Sequence, residues 1–337
     1  MKYFNLFIAV ICLFPSLGFQ HKAEVQEVSP LFAEEEILEL SLKFSVDSLL
    51  RDRGKDPSYF AARMTIKKGK EKQDLDLKVK VRGNFRRNPE NCDFPPLRLN
   101  FKKGNTGQTV FAGQDKLKLV THCSEERFIL KEYLAYKAYQ LINPQGFQVR
   151  LARVTYIDKS RVHKTTRRYA FIIEDKDAMA TRLGGTAVPD SVRFSEKQTL
   201  HHETAQLYLF QYLLGNRDWD ISMKKNVKLV QKTSGDVLAL PYDFDFTGWV
   251  SAPYTVAYMG NLAKTFEYRS GRKFCATEEE WEKHIQHFLD KKPELLALIN
   301  NFKPLSKKEK ASMLEFIEAF YDEIKKPNKA VELFGDC

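Results

Sequence analysis

From Ile37 to Val46 the apolar residues Leu38, Leu40, Leu42 and Phe44 alternate with polar neighbours. A period of two puts one side of an extended chain in a core and the other in water. Phe60–Lys67 and Leu75–Val81 repeat the pattern across the charged turn Lys68–Asp74. Leu97–Phe101 and Lys116–Val120 supply two shorter strands, the first entered through Pro95-Pro96. The period then changes. Leu130, Leu134, Ala138 and Leu141 recur at helical spacing, with Ser124 placed to cap the helix and Asn143-Pro144 to end it. Glu125 and Glu126 occupy the first turn, where negative charge suits the helix dipole. Val149–Ile157 and Arg168–Ile173 return to strand around the basic turn Lys159–Arg167. Beyond Glu174 the pattern is mostly helical: Leu200–Leu214 up to Gly215, then Glu278–Leu289, Pro293–Phe302 and Lys307–Ile324. The expectation is an α+β chain, β-rich over 30–175 and mainly helical over 176–337.

Residues 1–20 read as a cleavable signal peptide. Lys2 is the positive start, Phe4–Phe14 is apolar except for Asn5, and Pro15, Ser16 and Gly18 suit a cleavage region. The run is too short to anchor in a bilayer, and no later segment has 18 consecutive apolar residues. Ile11 before Cys12 argues against lipidation, which takes a small residue there. These features direct the mature chain to a periplasm or the cell exterior. In such a compartment Cys92, Cys123, Cys275 and Cys337 are expected to form two disulfides. Four cysteines allow three pairings; Cys92–Cys123 with Cys275–Cys337 keeps each bridge within one half of the chain, and the spacing does not suit zinc.

The 25 Phe and 14 Tyr support a sizeable core. Net charge is +10, from 54 basic and 44 acidic residues. The basic residues are spread along the chain without a nucleic-acid-binding motif, so the excess points to other anionic partners.

The chemistry-bearing stretch is Gly215-Asn216-Arg217-Asp218-Trp219-Asp220, then Asn226, then Pro241-Tyr242-Asp243-Phe244-Asp245. It holds four carboxylates and two carboxamides within 31 residues. The apolar segments Val227–Val230 and Val237–Leu240 between them predict a hairpin, which returns the second acidic loop to the first. Converging carboxylates and an amide carbonyl are hard oxygen ligands for magnesium or manganese. A carboxylate left off the metal can accept the proton of an attacking hydroxyl. By contrast His201-His202-Glu203 reads as a helix face, because adjacent histidines point to different sides and HExxH is absent. Phe244, Phe246, Trp249, Tyr254 and Tyr258 read as core more than as a substrate groove.

This stretch resembles the catalytic core of the atypical kinase-like proteins of the spore-coat CotH family and, more distantly, HipA-type kinases. Asn216-Arg217-Asp218 looks like their Asn-x-Asp catalytic loop, Asn226 like the downstream metal-binding Asn, and Pro241-Tyr242-Asp243 like their Pro-aromatic-Asp loop. Upstream, Arg82-Gly83-Asn84 and Pro96-Leu97-Arg98-Leu99-Asn100-Phe101 resemble the family's RGN segment and basic strand. The helix over 125–141 and Glu174 sit where that family has a regulatory helix and a hinge glutamate. The resemblance implies a protein-kinase-like two-lobed fold that uses Mg2+ or Mn2+ and ATP to phosphorylate, or nucleotidylate, a protein or glycan hydroxyl. It implies Asp218, or Asp220 in its place, as the base, and Asn226 and Asp243 as metal ligands with Asp245 competing. Lys118 paired to Glu132, with Arg82 or Arg98, is expected to meet the phosphates, and Glu174 belongs to the same nucleotide site. The chain departs from the family in the step of eight positions from Asp218 to Asn226, in Asn100 where a lysine is usual, and in lacking a glycine-rich loop. A binding or assembly protein without catalysis, and a metal-dependent hydrolase, are the alternative functions.

Overall fold

The computed structural model describes residues 29–102, 104–255, 271–335 and 337. The expected signal peptide, Cys12 and Tyr258 lie outside them. The five early strands are present: β1 (Leu38–Phe44), β2 (Phe60–Lys68), β3 (Glu71–Val81), β4 (Leu97–Phe101) and β5 (Lys116–Val120). A short helix α1 (Val46–Arg51) follows β1. Helix α2 (Glu126–Ile142) then leads to β6 (Val149–Asp158) and β7 (Thr166–Ile173). Glu125, not Ser124, is the residue at the helix's N-cap position.

The two-lobed, kinase-like architecture with a mainly helical second lobe is not what the chain adopts. The first seven strands close into a barrel in the order β1-β2-β3-β4-β5-β7-β6. Closure comes from a parallel pairing of β1 with β6, running from Leu38 opposite Ala152 to Phe44 opposite Asp158. It leaves neither strand with an open edge. Leu40, Leu42, Met64, Val79, Leu99 and Leu119 fill the inside. Each such side chain contributes about 1.5–3 kcal/mol when fully buried. The second half holds the expected hairpin and one further short strand. Strands β8 (Gly185–Ala187), β9 (Val227–Lys232) and β10 (Val237–Pro241) form a second sheet in the order β10-β9-β8.

The helices wrap one side of the barrel. In β7 the run Ala170-Phe171-Ile172-Ile173 is wholly buried because both its faces are covered. Ala170 and Ile172 face the barrel core, while Phe171 and Ile173 join α2 and the C-terminal half. After β7 come α3 (Lys176–Arg182), capped by the Asp175 side chain, and α4 (His201–Leu213), which packs on β10. The tail folds as α5 (Glu278–Asn300), α6 (Lys307–Ile324) and α7 (Lys329–Phe334). Pro293 lies inside α5 and does not divide it into the two expected helices. The buried stripe Trp281, Phe288, Leu295 and Ile299 runs across the proline, and its packing outweighs the lost hydrogen bond.

Both expected disulfides are formed, Cys92–Cys123 and Cys275–Cys337. No described helix is long and apolar enough to cross a membrane.

Two buried imidazoles set an acid limit. Burial lowers His122 and His284 to about 4. The unfolded chain then binds more protons than the folded one between pH 6.5 and 4, so stability falls as pH drops through that window. Replacing His284 with Gln should flatten the slope, removing about 2–3 kcal/mol of the change between roughly pH 7 and pH 4. Urea midpoints measured across that range will check it.

Candidate functional site

The β9–β10 hairpin brings the two acidic loops together. Val227 pairs with Pro241 at its base, and the Tyr242 N–H donates to Asn226 O at 2.9 Å. The second loop is also stitched to the end of α4: Trp249 N–H donates to Leu214 O at 3.0 Å, and Asn216 bridges to Thr247. Inside the first loop Asn216 Oδ1 accepts from Asp218 N–H at 2.9 Å. Asn226 Nδ2 donates to Asp218 at both the main-chain oxygen, 2.6 Å, and Oδ2, 2.9 Å. Lys225 pairs with Asp218 Oδ1. Asn226 (φ 49°) and Asp243 (φ 61°) both sit in the left-handed backbone region. That conformation is uncommon for residues with a side chain, and residues held in it cluster at functional sites.

Above this hairpin lies a buried charge cluster centred on Arg86. Its guanidinium reaches Glu132 on α2 at 2.8 Å, Asp243 at 3.2 Å and Asp245 at 3.1 Å. Arg86 is only 6% exposed and Glu132 1%, so these charges depend on one another for solvation. The second cation is Lys118 on β5. It donates to Tyr242 Oη at 2.7 Å and lies 3.5 Å from Asp243. Burial opposes ionisation of Asp243, but Lys118, Arg86 and Arg82 outweigh it and hold the carboxyl below its ordinary value. Burial pushes Asp245 up to about 7 against the pull of Arg86, with Asp243 and Glu132 adding to the rise. Two carboxylates two residues apart are thus driven in opposite directions.

Nothing in the sequence separates Arg86 from its neighbour Arg87, and sequence reasoning passed over it. The structure selects it through the loop between β3 and β4. Gly83 turns that loop at φ 89°, Asn91 Nδ2 donates to Phe85 O at 3.1 Å, and Cys92–Cys123 fastens it to the approach to α2. Arg87 instead donates to Lys55 O at the surface.

The other expected residues divide. Lys118 does not pair with Glu132; Arg86 holds that glutamate, and Lys118 is taken by Asp243 and Tyr242. Arg82 lies at the end of β3, close enough to Asp243 and Tyr242 to influence both. Arg98 stands on β4 directly opposite Lys118. Glu174 is held by Arg182 at 2.7 Å and by Gln148 N–H at 3.0 Å, which fixes the end of β7 against α3. Asp220 caps its own turn through Met223 N–H at 2.7 Å and faces Arg272 at 3.8 Å. Asp245 is engaged by Arg86 and by Tyr254 Oη at 3.0 Å. His201 contacts Cys275 O, and His202 packs beside His284. Phe244 and Trp249 are core, whereas Phe85, Phe246 and Tyr254 stack into one cluster beside Arg86.

Among the described residues no group of three or more His, Cys, Asp and Glu side chains is placed to hold a metal ion. An all-protein cage is not required for magnesium, which usually takes one or two carboxylates and completes its shell with water and substrate phosphate. Asp243 and Asn226 suit that mode. Asp243 Oδ1 takes Arg86 and Lys118, and Asn226 binds Asp218 through its amide nitrogen. Asp243 Oδ2 and Asn226 Oδ1 accept no hydrogen bond from the described residues. Compared with known proteins, the chain matches no family model and no curated protein sequence.

Proposed function

We propose that the chain is an exported, divalent-metal-dependent phosphotransferase that moves a phosphoryl group from ATP to a hydroxyl of a protein or glycan. The observation that carries this reading is the meeting of Asp243, Asn226 and Asp218 at one hairpin base, with Lys118 beside them. Asp243 and Asn226 would hold Mg2+ or Mn2+, which when bound neutralises charge on the transferring group. Lys118 and Arg82 supply fixed positive charge for phosphate oxygens. Asp218, oriented by Lys225 and Asn226, takes the proton of the acceptor hydroxyl as its oxygen bonds to phosphorus and the bond to the bridging oxygen breaks. Two disulfides fit an oxidising compartment and so support export.

Incubation of the chain with γ- and α-labelled ATP, each divalent metal and candidate acceptors tests the reading. Label transfer from the γ position is expected, with Asp243→Ala lowering the rate about a hundredfold. Undiminished transfer by that variant would show that Asp243 is not a metal ligand, and transfer of the α label would make the reaction nucleotidylation. One observation favours a binding protein without catalysis: Arg86 already neutralises Asp243 and Asp245. Tight metal–nucleotide binding with no labelled product would select that reading.

A further inference from the structure

On the outer wall of the barrel Lys80, Arg98 and Lys118 are direct cross-strand partners on β3, β4 and β5. Their strand neighbours Val79, Val81, Leu97, Leu99, Leu117 and Leu119 point into the barrel core, so the three cations share the outer face. Strands are about 4.8 Å apart, which places three positive charges along about 10 Å. Like charges directly opposite each other are destabilising. Elsewhere facing cations have a carboxylate at hand: Arg63, opposite Lys43, also faces Asp76 at 2.9 Å, and Arg167 pairs with Glu39 at 2.8 Å. Lys67 opposite Lys72 is an exception at the exposed end of a hairpin, where water screens it.

The cation row is partly buried, and Lys80 and Arg98 are poorly compensated. Lys80 has only the exposed Asp56 at 3.9 Å and the Tyr59 ring. The Arg98 side chain has no hydrogen-bond or ion-pair partner among the described residues. Arg82, two residues beyond Lys80, buries its Nε without a hydrogen bond. The next row along the same strands, Lys78, Asn100 and Lys116, interposes a neutral amide and sets Lys116 beside Asp115 at 3.7 Å. The row ends at Lys118, whose own counter-ion is Asp243.

We propose that this row is a binding track for a linear phosphoanhydride chain, recognised by its closely spaced negative charges and not by an attached nucleoside. The proposal rests on the phosphotransferase reading for its direction: the track leads the terminal phosphate to Asp243 and Asn226. Its chemistry is shared by the tail of a nucleoside triphosphate and by inorganic polyphosphate, and it makes the nucleoside dispensable.

Calorimetric titration of the full chain with inorganic tripolyphosphate, ATP and orthophosphate tests the track at equilibrium. Tripolyphosphate is expected to bind at least tenfold more tightly than orthophosphate and to displace ATP. Arg98→Gln and Lys80→Gln should each weaken tripolyphosphate and ATP by about tenfold, while the unliganded variants melt at or above the parent temperature because a repulsion is relieved. Equal affinity for tripolyphosphate and orthophosphate, or unchanged binding by both variants, overturns the track. So does ATP binding that tripolyphosphate cannot displace. A lower melting temperature in both unliganded variants would contradict the repulsion on which it rests. Charge-dependent binding without labelled product removes the transfer reading alone; labelled product without charge-dependent binding removes the track alone.

Discussion

Replacing Arg86 with methionine is expected to destabilise the fold by about 3–5 kcal/mol, because the change strands buried carboxylates without their counter-ion. For a chain of this size that corresponds to a melting temperature lower by roughly 5–8 °C. Glu132 is 1% exposed and Asp245 5%, and both direct a carboxylate at the guanidinium. The Arg86→Met/Glu132→Gln double variant should lose less than the single one, since one stranded charge has gone. Arg86→Lys should fall between, because an ammonium cannot reproduce the fork that meets Glu132 with two nitrogens. Thermal and urea unfolding of the three variants provides the test. A loss under about 1 kcal/mol in Arg86→Met would mean that water, not Arg86, solvates these carboxylates. The cluster joins the barrel loop to α2 and to the acidic loop, so its loss should loosen the site as well as the fold.

The second large effect is expected at Cys92–Cys123. Removing a native disulfide costs about 2–5 kcal/mol. Chain entropy alone ranks the two bridges the other way: the separation is 31 residues for Cys92–Cys123 and 62 for Cys275–Cys337, and the longer loop gains more from closure. Cys92–Cys123, however, also fixes the loop that delivers Arg86. Replacing both Cys92 and Cys123 with Ser should therefore destabilise more than the equivalent change at Cys275 and Cys337. Urea denaturation of the two double variants will order them. If the Cys275–Cys337 variant is the less stable, the Arg86 loop does not depend on its disulfide.

Much of this architecture is legible in the chain. Alternation at Leu38, Leu40 and Leu42 marks β1, and the helical spacing from Leu130 marks α2. The acidic residues flanking Val227–Val230 and Val237–Leu240 place two loops at one hairpin base, where Asn226 and Tyr242 meet. These are local matters, in which a side chain's neighbours along the strand or helix decide the outcome. The α5 proline shows where local signals stop: Pro293 reads as a break, and only the tertiary burial of Trp281 and Phe288 on one side and Leu295 and Ile299 on the other keeps the helix whole.

The sequence by itself determined most strands and helices and the hairpin that puts the Asp218–Asn226 and Asp243 loops at one base; for the disulfides it narrowed the partners to three pairings. Only the tertiary structure decided that the sheet closes, since alternation specifies a buried face and says nothing about which strand lies beside β1. It also decided which arginine matters. Arg86 and Arg87 carry the same charge on the same loop, and burial against Glu132, Asp243 and Asp245 is a property of distant segments brought within 3.4 Å.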